Sequence, residues 1–414
     1  MVNDKLNFEI PDEWEIRHLD DFGNIVSGGT PSTAVSEYWN GVISWCTPTD
    51  ITRTDGVTIS ETEKTITNEG LKNSAAVVLP IGSLLLCTRA TIGDSKINAT
   101  PMATNQGFKN IIPFKGTCVR YLYYLLQTKK REMLEKATAS TFAEISKSAL
   151  CEIALQTPQK KEQEKIAEVL SDIDDLIGDL KKLIIKKKNM QQGTMQLLVT
   201  GKKRLSGFSG DWKMTTLDKL CKLVTKQTGF DYSAEIKPSL VTAPQIGTVP
   251  FIQNKDFEGF DTNYNTDFYI PYDVAEKYPK ILLNEICLLI SISGRIGNVA
   301  VFDNKQTAFA GGAVGIAKLY DPEIAKWCML YLSGKEGQEQ IFSNEKVGAQ
   351  HNLTVADVRK LEIKLPEKPE REAIISLLLD MDNEIKLLEE KLKKYKKMKQ
   401  GMMEELLTGK VRLV

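Results

Sequence analysis

The stretch QQGTMQLLVTGKKRL at residues 191–205 returns as KQGMMEELLTGKVRL at residues 399–413, about 208 residues further along the 414-residue chain. A repeat of this length organises everything else. At the same offset upstream, Pro158 pairs with Pro366, Glu162 with Glu370, Glu164 with Glu372 and Ile166 with Ile374. Asp172 and Asp174 pair with Asp380 and Asp382, and Met190, Gln192 and Gly193 with Met398, Gln400 and Gly401. Further out the match weakens but persists. Trp14 in PDEWEIRHLDDF faces Trp212 in SGDWKMTTLDKL, and SLLLCTRATIG (83–93) faces CLLISISGRIG (287–297). Each half is therefore a variable block followed by a well-matched one. The boundaries predict domains at 1–157 and 206–365, and helical segments at 158–205 and 366–414.

The matched blocks carry a heptad. Ile166, Ile173 and Leu180 hold one position, and Leu170, Ile177 and Ile184 the other. The second copy gives Ile374, Met381, Leu388 and Tyr395, then Leu378, Ile385 and Leu392. This is the a/d spacing of a coiled coil. Pro and Glu at each start suit a helix N-terminus, and Gly201 and Gly409 suit its end. Each helix is expected to run roughly 40 residues, about 60 Å. The competing reading is a helix packed only on its own domain; equal lengths, registers and seams favour the two helices pairing with each other. The variable blocks alternate short β-branched and aromatic runs with Gly and Pro, as in ISWCTPTDIT and NIIPFKG. With helical stretches at 119–137 and 323–342, each reads as a mixed globule. The fold class expected is α/β of the α+β kind, two similar globules separated by two long helices, with a pseudo-twofold internal repeat.

Lys+Arg and Asp+Glu both count 54, so net charge is zero. A free-standing DNA binder is usually basic; here positive charge must be local or supplied by partners. The start lacks the basic and apolar segments of a signal peptide, and no apolar run reaches membrane-span length. Seven scattered cysteines without CxxC suggest reduced thiols and a cytoplasmic location.

Catalytic motifs are lacking. His18 and His351 lie in different blocks without metal-ligand spacing, and solvated or capping roles suit them better. The tail's TGK does not complete a phosphate loop, and FAGGAVG (309–315) reads as a turn. There is no nucleophile elbow, Cys/His pair or nuclease-like acidic cluster. No metal site and no cofactor site are expected in this chain.

This layout resembles the specificity subunit of type I restriction–modification enzymes. The resemblance rests on PDEWEIRHLDDF, the paired TRATIG and SGRIG loops, the P-x-K-x-E-x-E-x-I helix openings and the L-x-T-G-K-x-R-L endings, and it covers essentially the whole chain. It implies two target recognition domains, each reading one half of a bipartite double-stranded DNA site with a non-specific spacer, and an antiparallel coiled coil. It also implies two modification subunits that bind S-adenosylmethionine and methylate adenine, and restriction/motor subunits that cut DNA. The chain itself would be non-catalytic. On this reading the tail is duplicated so that each helix offers an equivalent docking surface to an identical partner.

Base reading needs paired donors and acceptors, and phosphate contacts need Lys, Arg, Ser or Thr. The candidates are Thr88, Arg89 and Thr91 on the first paired loop, Ser293 and Arg295 on the second, Asn105, Gln106 and Lys109 in ATNQGFKN, and Gln350, His351 and Asn352 in GAQHNLT. Three other functions compete with it: a coiled-coil protein-interaction adaptor without catalysis, a reader subunit of another DNA-modification system, and an enzyme with its own S-adenosylmethionine site.

Overall fold

The computed structural model describes residues 11, 13–137, 143–229, 231–343 and 352–413. The chain forms two compact units, Met1–Ile184 with Leu388–Val414, and Ile185–Leu387. The unit boundary falls inside both long helices, so neither unit is continuous in sequence. The four blocks read from the repeat follow the sequence, whereas each compact unit draws on both copies.

In the first unit the strands Gly23–Ser27, Phe108–Pro113, Leu84–Cys87, Ser95–Asn98 and Thr58–Ile59 lie side by side in that order. A second sheet places Trp39–Cys46 between Lys64–Ile66 and Met102–Thr104, the latter pairing parallel. The second unit repeats the plan. Cys221–Lys226, Val314–Leu319, Cys287–Ser291 and Val299–Phe302 form one sheet, and Thr248–Ile252 pairs parallel with Ala308–Ala310 in the other. The central strands are buried along their whole length, as in Leu84–Cys87 and Cys287–Ser291, which accounts for their unbroken apolar runs. A two-stranded ribbon ties each globule to its long helix: Glu15–Arg17 with Leu155–Thr157, and Lys213–Thr216 with Glu362–Leu365.

The central helix spans Lys160–Val199 and the C-terminal helix Lys368–Leu406. Within each unit they run antiparallel. In the first, Asp174 meets Lys399 at 2.6 Å. In the second, Lys187 meets Glu384 at 2.6 Å and Gln191 meets Asp382 at 3.5 Å. Ile166, Leu170, Ile173, Ile177, Leu180, Ile184, Ile374, Leu378 and Ile385 are buried, while Met381, Leu388 and Leu392 are half-buried. The seam also serves the globules. Ile166 and Leu170 share the first unit's core with Leu406 and Leu407, and Ile374 and Leu378 share the second's with Leu198 and Val199. Packing on the domain and pairing with the other helix, set against each other as alternatives in the sequence, occur together.

The repeated motifs converge at each helix start. The buried Glu162 carboxylate accepts a fork from Arg412, Nε at 2.8 Å and Nη2 at 2.9 Å, and the Leu413 amide donates to it at 3.2 Å. In the second unit Glu370 accepts from Arg204 Nε and Nη2, both at 2.5 Å, and from Trp212 Nε1 at 2.9 Å. Desolvation pushes both carboxyls up, but the guanidinium fork outweighs it and holds each below the usual range. Gly409 has φ +76 beside Trp14, and a Cβ there would lie 2.7 Å from Pro11. Glycine is needed for both the turn and the close approach.

Candidate nucleic-acid interface

The same strand-to-strand turn is built twice. Cys87 N–H donates to Asp94 O at 2.8 Å and Gly93 N–H to Cys87 O at 3.0 Å; in the second unit Ser291 N–H donates to Asn298 O at 2.8 Å and Gly297 N–H to Ser291 O at 3.1 Å. A returning segment docks on each turn, with Ile145 N–H on Thr88 O and Leu353 N–H on Ile292 O. Between these anchors Ala90 has φ +60, and the matching residue, Gly294, has φ +72. A left-handed alanine costs about 1 kcal/mol or more, and it is kept at the exposed tip of the loop.

In the first unit this tip borders an open groove of about 540 Å³. Arg89, Asn105 and Gln106 line it together with Thr47, Thr49, Arg53 and Lys64. The buried Asp50 fixes the start of the helix Pro48–Arg53 by accepting from Thr47 N at 2.8 Å and Glu63 N at 2.9 Å. Arg89 pairs with Glu144 at 2.5 Å. Asn105 Oδ1 accepts from Gly107 N at 2.9 Å, and exposed Gln106 accepts from Thr30 Oγ1. These donors suit phosphate oxygens and base edges.

Three other predicted residues turn inward. Thr88 is fully buried and donates to Gly107 O at 3.2 Å. Thr91 Oγ1 is buried, and Lys109 is 13% exposed with Glu144 at 3.9 Å. As positions in the middle of a packed turn and strand, they shape the loop instead of facing the groove. Burial pushes the Cys87 thiol beneath it up to about 12, far from a reactive thiolate.

In the second unit Arg295 and Gly294 are exposed, and Ser293 bridges Asn352. Gln350 and His351 lie outside the described residues. Gln253 and Asn254 occupy the place of Thr47 and Pro48. Gln253 N donates to Asp256 Oδ2 at 2.8 Å, as Thr47 N does to Asp50, and Asn254 Nδ2 donates to Ser293 O at 3.2 Å. Gly311 and Gly312 stand where the first unit has Asn105 and Gln106, in the turn that carries the chain from one sheet to the other. The helix start at 47–50 and the turn at 253–256 were missed in the sequence. Their shared signal was a strand followed four residues after its end by Asp, at an offset two residues shorter than the tail's. His18 takes a structural role, its ring Nδ1 donating to Cys151 O at 2.6 Å. Among the described residues no group of His, Cys, Asp and Glu could hold a metal.

The model of the type I restriction modification DNA specificity domain matches residues 11–188 and again 209–397. This chain belongs to that family of DNA specificity subunits. The MjaIX specificity subunit of Methanocaldococcus jannaschii is 30% identical over 98% of this chain and 95% of its own length. The MjaVIII specificity subunit of the same organism is 26% identical over 98% and 94%. The solved type I S subunit from M. genitalium superposes with TM-score 0.58 at 14% identity, covering 97% of each chain. A chain from a study of type I complex assembly and conformational transition gives 0.59 at 13%, covering 98% of this chain and 100% of its own. The α+β globules and long paired helices are thus the family's fold, and the chain's role is DNA-sequence specificity.

Proposed function

We propose that the two loop sets each read one half of a bipartite duplex target, and that the chain does so without catalysis of its own. The observation that carries this is one turn built twice with unlike tips, Arg89, Ala90 and Thr91 in one unit and Ser293, Gly294 and Arg295 in the other, each flanked by its own polar residues, Asn105 and Gln106 in the first and Gln253 and Asn254 in the second. A shared scaffold with unlike tips suits two half-sites of unlike sequence. Two identical modification subunits would dock on the duplicated helices and bring S-adenosylmethionine and adenine methylation, and restriction/motor subunits would join that complex. The duplicated tails support such docking. Met190 and Met398 are exposed at equivalent positions, and the space around helical Gly193 and Gly401 is open. The free thiols of all seven cysteines suit a cytoplasmic location.

The test is methylation mapping with the assembled complex. Exchanging residues 1–157 for the equivalent block of another family member should change one half of the methylated motif and leave the other. Arg295→Ala should relax discrimination only in the half left unchanged by that exchange. A change in both halves, or methylation by the isolated chain, would overturn the reading.

A further inference from the structure

Where the second globule meets the two long helices lies a cavity of about 500 Å³. Met195, Met329, Leu330 and Leu378 give it apolar walls, and Gln191 and Asp382 add polar groups. The first unit closes the corresponding place with its own side chains. A shared contact fixes the register of the two short helices that form one wall. Tyr121 Oη donates to Gln156 O at 3.4 Å, and Trp327 Nε1 donates to Lys364 O at 2.8 Å, Gln156 and Lys364 being equivalent in the repeat. Three residues beyond that contact stand Tyr124 and Leu330, and six beyond it Gln127 and Ser333. Tyr124 is fully buried. Its hydroxyl donates to Asp174 Oδ2 at 2.9 Å, and Lys399 meets the same carboxylate at 2.6 Å. Gln127 Nε2 reaches Ser95 Oγ at 2.9 Å.

Asp382 and Gln191 are the equivalents of Asp174 and Lys399. The second unit thus keeps the carboxylate but has leucine in place of the phenol. Asp382 turns instead to Lys386 at 2.8 Å and Gln191 at 3.5 Å, and its side chain is 26% exposed against 14% for Asp174. Leucine for tyrosine and serine for glutamine leave out a ring and a long amide. Ligand sites have this size and this make-up, mostly apolar with a few placed polar groups, and cavities with apolar walls take up aromatic rings. We infer that the cavity binds a small phenolic molecule, its ring against Met329, Leu330 and Leu378 and its hydroxyl donating to Asp382, as Tyr124 does to Asp174 in the first unit. The ligand is a free molecule and not the tyrosine of a docked subunit. Identical subunits docking on both helices, as proposed above, would bring the same side chain to both units, and in the first Tyr124 already holds the place.

The experiment titrates the full chain with p-cresol by isothermal calorimetry, with toluene as the same ring without the hydroxyl. The expected result is one p-cresol site per chain, with Kd of about 1 mM or tighter, and toluene weaker by about tenfold or more. Leu330→Tyr restores the first unit's side chain and should abolish binding. Asp382→Ala should remove the preference for p-cresol over toluene, and it carries the test if Leu330→Tyr fails to fold. Absence of binding to the wild-type chain, unchanged binding to folded Leu330→Tyr, or equal affinity for the two rings overturns the inference. Adding the modification subunits should leave p-cresol binding in place; its loss would give the site to a side chain of the partner and also overturn a free ligand. None of these measurements involves DNA, so their failure is distinct from failure of the half-site reading.

Discussion

Arg412→Met and Glu162→Gln remove opposite ends of one ion pair, and the structure makes their costs unequal. Glu162 is 5% exposed and Arg412 is 25% exposed. Removing the guanidinium strands a buried carboxylate with the Leu413 amide and the Trp14 indole left beside it. Breaking a fully buried pair from one side costs about 3–5 kcal/mol. The remaining amide and the partial exposure of the site reduce this to about 2–3 kcal/mol. Glu162→Gln instead leaves Arg412 partly in water with Glu13 still 2.8 Å away, and about 1 kcal/mol is expected. For a unit of roughly 200 residues, 1 kcal/mol moves Tm by about 2–4 °C. Calorimetry of the full chain should therefore show one transition lowered by about 4–12 °C in Arg412→Met and by about 2–4 °C in Glu162→Gln. The difference should narrow in acid, because the stranded carboxyl can take up a proton. If Arg412→Met costs no more than Glu162→Gln, or both shift Tm by less than about 1 °C, the pair is not a buried lock.

Three further outcomes follow from the same packing. Glu162 and Glu370 titrate below their unfolded value of about 4.3, so their contribution is complete above that value and is lost as pH falls through the folded one. Tm followed by circular dichroism should be level from about pH 7 to 5 and drop below about 4.5, and a level profile to pH 3 would contradict it. Ile173→Lys places a charge at a position 7% exposed in the seam and should cost at least about 3 kcal/mol in chemical denaturation; an unchanged midpoint would mean the seam is not a packed interface. Gly193→Ala and Gly401→Ala put a methyl into open space inside a helix and should each raise stability by about 0.5–1 kcal/mol, whereas a loss would show that these positions need glycine for the fold itself.

The long helices were legible because their signal is local: a heptad read along one segment needs no knowledge of the rest of the chain. The strands inside each globule were legible as apolar runs, but their pairing was not. The parallel contact of Trp39–Cys46 with Met102–Thr104 spans intervening helices and strands of the same globule, and no local period encodes it. Candidate contacts chosen by residue type alone divided by burial. Arg89, Asn105, Gln106 and Arg295 reach the surface, while Thr88, Thr91 and Lys109 hold the turn from within. Side-chain direction within a tight turn depends on backbone conformation, here the left-handed Ala90, and composition carries no trace of it.

The duplicated tail has a structural reason besides any docking role. Because the helices run antiparallel within each unit, the end of one helix lies at the start of the other. Arg204, from the first tail, closes on Glu370 at the second opening, and Arg412, from the second tail, closes on Glu162 at the first. Each lock takes its acid from one copy and its base from the other. A tail therefore cannot drift in sequence without releasing a helix start about 170 to 250 residues away. The loop tips carry no such reciprocal constraint, since Arg89 and Arg295 lie on turns whose backbone hydrogen bonds stay within their own units. The architecture thus ties together the frame that must match in both halves and leaves the reading residues free to differ.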